Sequence, residues 1–213
     1  MPNWVRNKIT FYGPQNGIDE LKQFVSTDES LFDFNQIFKT PDRLMCVPAS
    51  EDIEACAIAC LNAKNDDLNT CDEYKRRSWG YDFQTLAAYG RTYKGNEIFF
   101  GYKDWYLWRL ANWGTKWNSV DASWEGNTCT FNTAWSIPQQ IYERLARTFP
   151  YIMFDVLFAD EDLGRNCGTV HYSGDESNVV VDYIDELDFA RDVWEIIPEE
   201  ENLEEDADMD MPF

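Results

Sequence analysis

Two hydrophobic rhythms follow one another along this chain of 213 residues, and their order limits its fold more than any other feature. Val5 to Tyr12 is β-branched and aromatic and ends at Gly13-Pro14, the pattern of a strand running into a turn. Ile18, Leu21, Phe24 and Val25 then recur at helical spacing. Leu31 to Phe38 is short and apolar and reads as a strand or an irregular core segment. Glu51 to Ala63 predicts a helix, with Ser50 as its N-cap and acids in its first turn, where the helix dipole favours them. Glu73 to Ala88 reads as partly helical and Glu97 to Gly101 as a short strand. Trp105 to Trp113 predicts a helix stopped by Gly114. Ser119–Trp124 and Thr128–Trp135, joined by Glu125-Gly126-Asn127, predict a hairpin. Pro138 opens a helix that Pro150 closes. Strands are expected at Tyr151–Ala159 and Gly168–Tyr172, and a last helix at Leu187–Trp194. This order gives an α+β fold, an antiparallel sheet with helices on one face and a helical insertion over about 41–117.

Charge is unevenly placed on this frame. The chain carries a formal −21, which alone opposes simple nucleic-acid binding, because phosphates repel a net anion. From Glu195 to Phe213 there are nine acids and no base, an acidic tail expected to be disordered. Between Tyr74 and Trp117, by contrast, eight bases face three acids, and 14 of the 34 aromatic residues fall there. The six cysteines form no Cys-x-x-Cys pair, so reduced thiols in a cytoplasmic setting are expected, with no metal and no cofactor. No secretory signal is read at the start, and no apolar run long enough to span a bilayer is present, so no membrane partner is expected.

Several short motifs are familiar. Asn3-Trp4 with Asn7, Phe32-Asp33-Phe34-Asn35, Asp104-Trp105-Tyr106-x-Trp108-Arg109, Asn112-Trp113-Gly114-Thr115-Lys116-Trp117-Asn118 and Phe131-Asn132-Thr133-Ala134-Trp135-Ser136-x-Pro138 resemble a family of phage and plasmid proteins with a YubB-type ferredoxin-like domain. The matching residues lie between 3 and about 160. The resemblance implies a ferredoxin-like fold for residues 1–194 and a mobile-element origin, and carries no settled activity. Separately, Asp208-Met209-Asp210-Met211-Pro212-Phe213 is similar to the tip of bacterial single-stranded DNA-binding proteins, although Met211 stands where that family usually has Ile and Met209 interrupts the acids. That similarity implies a partner-binding role for Asp208, Asp210, Met211, Pro212 and Phe213, directed at host replication and repair proteins.

Proteins that hold single strands combine a positive groove with aromatic stacking platforms. Lys75, Arg76, Arg77 and Trp79 meet that description, followed by Arg91, Tyr93 and Lys94, and then by Arg109, Trp113, Lys116 and Trp117. The competing expectation is that most of these rings are core, above all Trp105 and Trp108. The only histidine, His171, lies in a strand-like run, and no nucleophile, phosphate-loop or zinc motif accompanies it, so an enzyme is not expected. The leading expectation is a single-stranded DNA-binding protein of a phage or plasmid. The alternative is an acidic inhibitor or decoy that binds host DNA-processing or defence proteins. What separates them is whether residues 74–117 present rings and bases together on one face.

Overall fold

The computed structural model describes residues 3–63, 80–173, 181–184 and 186–196. Strand β1 (Trp4–Tyr12) leads to α1 (Gln15–Val25), a single helical turn α2 (Phe34–Ile37), a 3-10 turn (Asp42–Cys46), α3 (Glu51–Asn62), α4 (Phe83–Phe100) and α5 (Trp105–Trp113). The hairpin β2 (Val120–Glu125) and β3 (Thr128–Ala134) follows, then α6 (Gln139–Thr148), β4 (Met153–Asp160), β5 (Gly168–Ser173), β6 (Val181–Tyr183) and α7 (Leu187–Trp194). The sheet runs β2-β3-β1-β4-β5-β6, every neighbouring pair antiparallel. Its first four strands, β1 and β4 lying side by side with the hairpin beyond β1, form the expected ferredoxin-like split arrangement.

The strand period of two decides which side chains meet the helices. In β1, Val5, Asn7, Ile9 and Phe11 are buried, while Trp4, Arg6, Lys8 and Thr10 point to the opposite face. Against the buried face pack the stripes Ile18, Leu21 and Val25 of α1 and Ile141, Tyr142 and Leu145 of α6. Burying each such side chain contributes about 1.5–3 kcal/mol. Rings dominate the centre: Phe32 stacks on Phe131 at 4.8 Å and Phe154 on Tyr172 at 4.7 Å. The open face is covered at one place by α7, whose Ala190 and Val193 pack beside Ala159 and whose Trp194 donates to the carbonyls of Ala159 and Asp160 at 3.1 Å.

Three expectations change. Leu31–Phe38 is neither a strand nor irregular throughout, because Asp33 accepts from the Asn35 backbone at 2.9 Å and starts a helical turn at Phe34. Glu97–Gly101 is the end of α4, an 18-residue helix capped by Asp82 and stopped by left-handed Gly101. Helix α7 lies across the face opposite the other packed helices, through its contacts with β4 and β1. Strand β6 is an addition to the expected set. Helices α3 and α4 form a separate cluster from Ile53, Cys56, Cys60, Leu86 and Ala87. They approach closely because Gly90 has no Cβ: one added there would meet the Ala57 carbonyl oxygen at 2.5 Å.

Candidate functional site

The basic, aromatic segment divides among several environments. Lys75, Arg76, Arg77 and Trp79 lie outside the described residues. Tyr93, expected as a stacking ring, is buried between α4 and the loop before α3, and its hydroxyl donates to the Pro48 carbonyl at 2.6 Å. Burial pushes this phenol's pKa far up. Trp113 is likewise core: it is fully buried, its indole N–H donates to the Phe38 carbonyl at 2.8 Å, and it packs edge-on against Phe34. Neither ring can stack on a base without leaving the core.

Arg109 is turned inward as well. Its guanidinium lies 4.4 Å from the Trp113 ring and 5.0 Å from Trp105, while its Nε donates to Thr40 Oγ1 at 3.1 Å. Burial lowers its pKa, against a smaller opposing pull from Asp33. It acts as a brace between α5 and the segment before the 3-10 turn.

Two groups remain at the surface. The first surrounds Lys116, whose Nζ lies 4.4 Å from the Trp117 ring, 5.1 Å from Trp135 and 5.8 Å from Tyr106. Trp4 adds a fourth ring, 5.8 Å from Trp117. Sequence reading found Lys116 and Trp117 but missed Trp4, Tyr106 and Trp135. All three stand in the motifs quoted above, but the β1–β3 pairing of Trp4 with Ala134 and the bonds of Thr115 to Ala134 and of Ser136 to Gly114 are what bring these segments to Lys116.

The second group lies on α4. Arg91, Lys94 and Ile98 share one helix face by their i, i+3, i+7 spacing, and Phe99 adjoins it. Ile98 and Phe99, at 80% and 71%, are the two most exposed large apolar side chains among the described residues. Arg43 reaches across from the 3-10 turn, 5.4 Å from the Phe99 ring, and donates to buried Asn96 at 3.1 Å. Glu97 is exposed on the same helix and tempers the positive charge.

A shallow groove of about 320 Å³ opens on the uncovered sheet face between Asp155, Leu157, Thr169, His171 and Asp182. Asp155 and His171 are directly opposite in the β4–β5 register and joined through His171 Nδ1. Burial, with the charge of Asp155 adding to it, raises the pKa of the Tyr12 phenol. Among the described residues, no group of three or more His, Cys, Asp or Glu side chains is placed to hold a metal ion. Among them too, no helix is long and apolar enough to cross a membrane. The partner-binding residues Asp208, Asp210, Met211, Pro212 and Phe213 lie outside the described residues.

Residues 112–209 match the model of a family described as the ferredoxin-like domain in Api92-like protein. The match begins in α5 and extends into the acidic segment, beyond the span of about 3–160 that carries the sequence resemblance. Among solved structures, the crystal structure of a protein api92 from Yersinia pseudotuberculosis is similar at 10% identity and a TM-score of 0.43, over 86% of this chain and 99% of that one. No curated protein matches.

Proposed function

We propose that this protein is a non-enzymatic binding protein whose partner is another protein, engaged through the α4 ridge. One observation carries the reading. Ile98 and Phe99 stand out into solvent beside Arg91 and Lys94, the two described bases with no ion pair, hydrogen bond or ring contact. Adjacent exposed apolar side chains mark an interaction surface, and uncommitted bases beside them select a segment in which acids flank an apolar residue.

The reading is preferred to strand binding on the described bases alone, since Lys75, Arg76 and Arg77 lie outside them. Of fourteen described bases, nine are held by ion pairs or hydrogen bonds inside the chain, and Arg6, Lys116 and Arg144 meet only rings. A phosphate track needs bases free to displace counterions along the strand. The reading shares a protein partner with the acidic-decoy alternative but places the contact on a basic, apolar ridge. The mobile-element origin implied by the resemblance suits it, as an accessory protein that recruits or occupies host DNA-processing proteins in the cytoplasm.

The chain's own Glu199–Phe213 carries the required chemistry, so a labelled peptide of that sequence serves as a probe in fluorescence anisotropy. Binding by the full chain is expected to weaken at least about tenfold in Phe99→Ser and in Ile98→Ser, and to lose much of its salt dependence in Lys94→Gln. Equal binding by the parent and all three variants would sink the reading.

A further inference from the structure

We infer that Trp4, Tyr106, Lys116, Trp117 and Trp135 form a site for one nucleotide unit of a single strand, with a base stacked on an indole and its phosphate on Lys116. The site is independent of the α4 ridge, and three observations support it.

Lys116 faces three rings, and among the described residues no carboxylate is paired with it. Ring quadrupoles attract a cation without neutralising it, so its charge remains available to an anion. Trp135 holds a left-handed backbone at φ 67°, an outlier for a bulky residue. Its N–H donates to the Asn3 carbonyl at 2.9 Å, and its carbonyl accepts from Asn166 Nδ2 at 3.3 Å, so both neighbours pin the strained conformation. That strain does not serve to bury the ring, which stays 44% exposed. An outlier kept by its surroundings while its side chain faces solvent points to contact with something outside the chain. Trp4 and Trp117 extend the same surface and are only partly buried.

The neighbouring charges limit the footprint. Asp160 bonds to Asn3 and Asn166, and the Glu161 backbone donates to the Trp4 carbonyl, so two acids stand beside the site. They disfavour a second phosphate there. One phosphate contact predicts a slope of log affinity on log salt of about −0.7.

The test titrates the full chain with (dT)8, with an abasic oligomer of equal length and with thymidine monophosphate, following tryptophan quenching. Quenching by (dT)8 with that shallow slope, and at least about tenfold weaker binding of the abasic oligomer, is expected. Thymidine monophosphate binding within tenfold of (dT)8 identifies the single nucleotide as sufficient; weaker binding identifies the strand as the ligand. Trp135→Gly removes the ring while suiting the left-handed backbone, so the fold should persist. It should cost binding at least about tenfold, as should Lys116→Gln, with Lys116→Arg retaining it. No quenching by (dT)8, equal binding of the abasic oligomer, or unchanged binding by Trp135→Gly would overturn the inference.

Discussion

At the scale of single residues, the polar side chains inside the core decide more than their number suggests. Asn7 is fully buried in β1, where its Nδ2 donates to the Val5 carbonyl and to Thr133 Oγ1, both at 2.9 Å. Its Oδ1 accepts from the Tyr142 hydroxyl at 2.6 Å, so strand β1 and helix α6 are joined by a satisfied polar link. Asn118 plays the same part near α2: its Oδ1 accepts from the Phe34 backbone at 2.8 Å and its Nδ2 donates to Asp33 at 2.7 Å. Asn7→Ala strands the Tyr142 hydroxyl in the core and is expected to cost about 2–4 kcal/mol. Tyr142→Phe on its own should cost less, and the double variant should fall short of the sum, because one partner's loss already breaks the link. Additive costs in urea unfolding would show that the link is not a unit. These asparagines and Asp33 belong to the motifs that carry the resemblance, so those motifs read as devices of the fold.

At the scale of elements, α4 shows where sequence reading ran out. Its last turn, Glu97-Ile98-Phe99-Phe100, has a strand's composition, and Ile98 and Phe99 break the amphipathic pattern because they face solvent. Periodicity finds helices that bury one stripe, as in α1 and α6, where the expected apolar positions are the buried ones. It has no purchase on a helix whose packing rests on a missing Cβ at Gly90. Gly90→Ala improves intrinsic helix propensity by about 1 kcal/mol but drives a methyl into the Ala57 carbonyl. A lower Tm is expected from this variant, and a higher one would mean that α3 and α4 can separate freely.

Helix α7 gives a pH-dependent case. Lys8 donates to Glu195 at 3.0 Å at the end of α7, and that bond holds the carboxyl below its ordinary pKa of 4.5. A carboxylate depressed by folding adds stability above its unfolded pKa and loses it as pH falls through the folded value. Amide exchange over residues 187–194 is therefore expected to quicken below about pH 4.5, relative to β1 and β4, and Glu195→Gln should flatten that difference.

At the scale of the whole molecule, charge governs both behaviour and legibility. The acid excess was readable from composition, and so was the local cluster of bases. What composition could not tell is that bases such as Arg43, Arg109 and Arg144 lie against rings, an amide and a hydroxyl inside the chain. Trp113 and Tyr93 misled for the same reason: a ring's type gives its chemistry, while its depth depends on which elements converge on it. With net charge −21 and most described bases engaged locally, long-range repulsion among the remaining acids should oppose folding. Added salt screens that repulsion, the Debye length falling from about 30 Å at 0.01 M to about 10 Å at 0.1 M. The surface pairs it weakens, such as Lys39–Asp42 and Arg147–Glu143, are exposed and each contribute about 0–1 kcal/mol. Thermal melts in sodium chloride between 0.01 and 0.3 M are therefore expected to show Tm rising with salt. A falling Tm would mean that local pairs outweigh the global repulsion, and the engaged bases would then count as a main source of stability.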